Sequence, residues 1–227
     1  MTPGFKWFFG VVEDVDDPLK IGRLRIRIFD VHSPNNVRLP TEQIMWATPI
    51  NPIFSAGTNQ IGLSPVGTVV GSTVFGFFAD NEKAQIPIVM GTVAGIPGLN
   101  QARNELPEQS REIDNLNKQY EGPEPQSAYN AKYPYNKVFK SQSGHVIEVD
   151  DTPNYERLHT YHRSGSYREI DATGRRVEKI VGDDFEIVLK NKTVYIKGNV
   201  NIKVDGTYTV ESSGNMTFKA PRIDWNP

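Results

Sequence analysis

Along Gly22-Arg23-Leu24-Arg25-Ile26-Arg27-Ile28, polar and apolar side chains alternate strictly. A period of two marks a strand with one buried and one wet face. Leu24, Ile26 and Ile28 are therefore expected in a core, and Arg23, Arg25 and Arg27 on the other side. The turn-rich Asp14–Lys20 separates this strand from Val11-Val12. Further apolar runs predict strands at Gln43–Thr48, Thr68–Phe78 and Ile86–Val93, divided by Ser64-Pro65-Val66-Gly67 and Asp80-Asn81-Glu82-Lys83. Five or so short strands within residues 1–95 point to a small barrel, an OB-fold domain being the best candidate.

The pattern fades over 96–137. The large aliphatic residues there are Ile96, Leu99, Leu106, Ile113 and Leu116, and prolines stand at 97, 107, 123, 125 and 134. Such a segment cannot close a core of its own, so it is expected to be an extended linker or to wrap over something else. One short helical stretch is expected at Asn104–Gln119.

Residues 138–227 are strand-like again and contain a repeat. Gly174, Gly182, Gly198, Gly206 and Gly214 are spaced by multiples of eight, with Lys190 at the one missed position. Each octad, over about 167–219, offers a short alternating strand such as Val200, Ile202, Val204, and then a glycine for a sharp turn. One strand per octad cannot bury its apolar row alone, and eight residues are too few for one coil of a single-chain β-helix. They suit one side of a triangular prism closed by three chains. The expectation is an intertwined triple-stranded β-helix: an obligate homotrimer, with Lys197, Lys203, Asp205 and Glu211 outside or at the corners. The alternative is an antiparallel meander whose turns happen to fall in phase.

Composition agrees with the pattern. The 21 Val and 18 Ile outnumber the 9 Leu and 10 Ala, and 19 Gly and 16 Pro supply turns, so the 227-residue chain reads as all-β. Helical bundles and doubly wound α/β folds are excluded. A formal net charge of −2 argues against general polyanion binding. The absence of cysteine removes disulfide frameworks, thiol catalysis and Cys-ligated metals. The first residues lack the apolar run of a secretory signal, and no stretch approaches 18 apolar residues.

Several motifs resemble a known family. Trp7-Phe-Phe-Gly-Val-Val-Glu-Asp14, Asp17–Arg27 and Val31-His-Ser-Pro34 resemble the N-terminal OB domain of T-even phage baseplate central spikes. Ser143–Pro153, Glu156-Arg157 and His162–Asp171 resemble the start of the spike in that family and in VgrG proteins of type VI secretion, and the octads resemble its triple-stranded β-helix. The resemblance covers about four-fifths of the chain. It implies a homotrimer seated by its OB domains on a baseplate hub protein, in the virion tail baseplate, assembled in the host cytoplasm. It also implies a small PAAR-like tip protein and transient contact with the target cell envelope. T-even spikes carry a lysozyme domain between OB domain and β-helix. Here the equivalent gap, 96–137, is too short and too poor in core residues, so that activity is not carried over.

The remaining chemistry reads as structural. Glu105, Glu108, Glu112, Asp114, Glu121 and Glu124 are numerous, but glycoside hydrolysis needs two carboxylates on a rigid scaffold, so they read as solvated linker charge. His159 and His162 are three apart, which in a strand places them on opposite faces. His145 is expected to be structural, and no metal, cofactor or catalytic residue is expected. Lys20, Arg23, Arg25 and Arg27 with Phe5, Trp7 and Phe8 could be imagined as a nucleic-acid platform. Glu13, Asp14, Asp16 and Asp17 stand beside them, so no nucleic-acid partner is expected. Ile223 and Trp225 follow the last octad and are candidate contacts for a tip cap. The leading function is mechanical: a cell-puncturing central spike of a contractile tail or injection device. A peptidoglycan-degrading spike enzyme and a trimeric receptor-binding tail adhesin are the alternatives.

Overall fold

The structure is a computed structural model that describes residues 5–53, 55, 63, 67–94 and 124–225. The expected helical stretch at 104–119 and the other linker carboxylates lie outside them, whereas Glu124 lies within. The chain divides into two units, Met1–Asp183 and Asp184–Pro227.

Five strands, β1 (Lys6–Asp14), β2 (Leu24–Ile28), β3 (Trp46–Pro49), β4 (Thr73–Phe78) and β5 (Pro87–Thr92), close a barrel in the order β1-β2-β3-β5-β4. All neighbours are antiparallel except β3 and β5. The alternation along β2 is realised: Leu24, Ile26 and Ile28 are buried with Phe8, Val12, Ala47, Val74, Phe78 and Val89. The barrel is the OB-type closure the sequence predicts. Its predicted strands begin somewhat early, since Thr41–Gln43 is a 3₁₀ turn and Thr68–Ser72 is loop.

Two glycines make the closure geometrically feasible. A Cβ at Gly76 would stand 2.1 Å from the Ile88 carbonyl oxygen, and one at Gly10 would stand 2.5 Å from Ile26 Cγ2. Real Cβ atoms do not approach that closely, so the strands can meet only where these side chains are absent.

A second sheet follows from β6 (Asn136–Lys140), β7 (Val146–Asp150), β8 (Arg157–Tyr161), β9 (Tyr167–Ile170) and β10 (Arg176–Lys179). It is an antiparallel meander in sequence order. The octad span thus begins inside this meander, with its first glycine, Gly174, in the β9–β10 turn at φ 80°. Beyond Lys179 the described residues form no strand, and from 182 to 225 no backbone N–H reaches a backbone carbonyl. The apolar side chains of that segment, among them Phe185, Ile187, Leu189, Val194, Ile202 and Phe218, are exposed.

Candidate functional site

The second sheet is inside out. Register places Glu148, His159 and Glu169 side by side on one face, with Asp150 opposite Arg157 beside them. The other face carries Phe139, Ile147, Val149, Leu158 and Ile170. Arg157 and Glu169 are 4% and 2% exposed, whereas Ile147 and Leu158 are 52% and 53% exposed. Strand geometry alone permits either face to be covered. Here the chain segment that precedes β6 covers the charged one.

That segment lies against the sheet as a strap made of polar contacts. Ser127 Oγ donates to Glu169 at 2.7 Å, and the Ala128 amide donates to the same carboxylate at 3.0 Å. The Tyr129 ring stacks on the Arg157 guanidinium, 4.9 Å from its centroid. Arg157 donates to Glu169 at 2.9 Å and to Glu148 at 2.5 Å. Glu124 accepts from the Tyr167 hydroxyl at 2.8 Å and from Lys179 Nζ at 2.7 Å. The Lys132 amide donates to Thr152 Oγ1 at 3.0 Å. Glu124 is exposed, as the solvated linker charge that the sequence predicts would be, but it is not without partners. An ammonium and a phenol hold it on the sheet.

Electrostatics follow from these partners. Burial pushes the Glu169 carboxyl up, but hydrogen bonds from Ser127, Ala128 and Arg157 outweigh it and leave the group below its usual range. The hydrogen bond from Lys179 lowers Glu124. Burial and the bond to Glu124 push Tyr167 up to about 12. Burial, with the Arg157 charge, lowers His159 and keeps it neutral at pH 7. The strap and sheet thus form a lock of paired charges, in which Arg157 is shared by Glu148 and Glu169 and Lys179 holds Glu124. A glycoside hydrolase uses two carboxylates free to act on a substrate, whereas Glu124 and Glu169 are here committed to protein partners.

The other candidates fall as follows. His159 lies on the charged face. His145 and His162 come together instead, with ring centroids 4.4 Å apart, and the Arg163 amide donates to His145 Nδ1 at 3.4 Å. Among the described residues no group of three or more His, Cys, Asp or Glu side chains could hold a metal ion. The arginine stripe is paired within the barrel: Arg23 with Asp17 at 2.7 Å, Arg25 with Asp14 at 3.3 Å and Arg27 with Glu13 at 2.5 Å. Gly182, Gly198, Gly206 and Gly214 stand in open space, where an added Cβ would meet nothing. Ile223 and Trp225 are exposed, and Trp225 meets Phe218 edge to face at 6.1 Å. Sequence reasoning missed the Glu148–Arg157–Glu169 lock and the strap. Its one local signal was the regular alternation of charge with Ile147, Val149, Leu158 and Ile170.

The comparison with known families decides the affiliation. Residues 30–159 match the family described as the Gp5 N-terminal OB domain. The chain belongs to this Gp5 family. It is 38% identical to Protein Gp5 of Vibrio phage KVP40 over 283 aligned positions, which take in 94% of this chain and 66% of the relative. Since 94% of 227 residues is about 213, about 70 of those 283 positions have no residue of this chain. The chain is 45% identical to the pre-baseplate central spike protein Gp5 of Enterobacteria phage T4 over 101 residues, 42% of this chain and 17% of that one. It thus spans just under two thirds of one Gp5 relative, and the match covers a small part of the other.

Proposed function

We propose that this Gp5-family chain is a structural central spike of a contractile tail, or of an injection device derived from one. It works as a homotrimer that is driven mechanically into a target envelope. Three copies wind their octads into a triple-stranded β-helix, the OB-type barrels dock on a baseplate hub at the virion baseplate, and a PAAR-like cap sits on Ile223 and Trp225. The chain supplies stiffness rather than catalysis.

The observation that carries this reading is the exposed apolar row between Phe185 and Phe218, in a segment with no hydrogen-bond ladder of its own. Unpaired strands with apolar side chains are unstable in water. Two further copies would supply both the missing ladder and the missing cover. The apolar face of the second sheet, with Ile147 and Leu158 in solvent, asks for the same cover. The name of the T4 relative, a pre-baseplate central spike protein, supports the spike role.

Light scattering on the purified chain tests the assembly. A mass about three times 25.5 kDa is expected, and a monomer overturns the reading. A turbidity assay on bacterial cell walls tests the mechanical role, with no clearing expected. Lysis by the purified trimer would replace it with an enzymatic one.

A further inference from the structure

The outside of the barrel has two characters. On β2 the outward Arg25 and Arg27 are paired with Asp14 and Glu13. On β1, β4 and β5 the outward positions include Trp7, Phe9, Phe75, Phe77 and Met90, with Phe5 just ahead of β1. Trp7 stacks on Phe75 with centroids 5.3 Å apart and planes within 8°. Phe9 lies 4.9 Å from Phe75, and Phe5 lies 5.0 Å from Phe77. Trp7 is 52% exposed, and the outward positions around it, Phe9, Phe75, Phe77, Ile88 and Met90, carry no charge, while Glu13 further along β1 is paired with Arg27.

Bases stacking on such rings would need cations to track the phosphates. The arginines at 23, 25 and 27 are already paired, and the face offers few polar groups to a sugar. Its surface suits another uncharged apolar surface. We propose that this aromatic face is where the barrels of three copies of the chain meet one another, an inference that rests on the trimeric reading above.

Three considerations select identical copies as the occupant. First, an uncharged face meets its own kind without like-charge repulsion. Second, half-exposed rings of this number present roughly 400–600 Å², against the ~800 Å² per partner of a stable stand-alone interface. The face is too small to hold free barrels together. Third, the proposed shaft would tether the barrels. About 30 residues separate Thr92 from Glu124, a reach of at most ~100 Å. Confinement on that scale sets a local concentration on the order of a millimolar, enough to make a sub-threshold interface close. The barrels therefore associate as a consequence of shaft assembly.

The cysteine-free chain makes the test direct. A spin label is placed on the full-length protein at Thr73→Cys, on the outward face beside Phe75, and in a second sample at Lys203→Cys in the octads. Short, narrow inter-label distances at both sites, with the Thr73 distances alone becoming broad in Trp7→Ser/Phe75→Ser, are the expected result. Broad Thr73 distances beside short Lys203 distances overturn the proposal and leave the trimer standing. Thr73 distances that stay short in the double variant overturn the assignment to this face. Absence of short distances at Lys203 overturns the trimer, and this proposal with it.

Discussion

Arg157 and Glu169 meet at 2.9 Å on adjacent strands, both nearly removed from solvent, while Leu158 and Ile170, each one residue away, pair on the opposite face of the same sheet. The guanidinium also reaches Glu148, and the carboxylate also holds Ser127 and Ala128 of the strap. The pair therefore joins three strands to a segment about 40 residues earlier in the chain. Removing Glu169 leaves Arg157 with Glu148 alone, and removing Arg157 leaves two neighbouring carboxylates without their shared cation.

Glu169→Ala should destabilise the second sheet by about 1–3 kcal/mol, the usual cost of leaving buried donors without their acceptor, because Arg157 keeps Glu148 as its counter-charge. Urea denaturation measures the loss. Hydrogen exchange should show it first at the Ala128 amide, whose acceptor has gone. A change within ±0.5 kcal/mol would mean that the lock contributes nothing net.

Acid should release the strap. Glu169 and Glu124 have folded-state pKa values below their ordinary ones, so the unfolded chain binds more protons on acidification. Their contribution is complete above the ordinary carboxylate value of about 4.3 and drains away as pH falls through the lowered folded values. His159, also lowered, acts in the same direction from about pH 6.5 downward. Exchange at Ala128, corrected for intrinsic rates, should accelerate as pH falls from about 5 to below the ordinary carboxylate range, toward about 2. Equal protection at both ends would refute the lock.

Gly76→Ala should break the barrel. The new methyl would stand 2.1 Å from the Ile88 carbonyl oxygen, which belongs to the β4–β5 ladder and cannot step aside cheaply. A loss of 1–3 kcal/mol or more is expected from such overpacking, read as a lowered thermal midpoint. Gly206→Ala meets nothing within one chain and serves as the contrast.

Leu158→Glu and Ile202→Asp test the proposed trimer from two sides. Both side chains are exposed in the single chain, where a charge would change stability by less than about 0.5 kcal/mol. Each should instead reduce the solution mass from the trimer toward 25.5 kDa and make the melting temperature depend on concentration. A trimer unaffected by either charge would place the contacts elsewhere.

The barrel was legible in the amino-acid order because its rules are local. The alternation over Leu24–Ile28 states which side chains go inward, and only a closed sheet buries that many short strands. The octad glycines were legible for the same reason, since a period needs no partner to be seen. The second sheet was different. Its strands alternate charged and apolar residues, and alternation defines two faces without saying which is covered. That choice was made by a distant segment whose Ser127 and Ala128 find Glu169, and whose Glu124 finds Tyr167 and Lys179. Hydrogen bonds between residues 41 to 55 positions apart leave no periodic trace in a chain, so only the folded arrangement could turn a linker into a strap and bury charge in place of leucine.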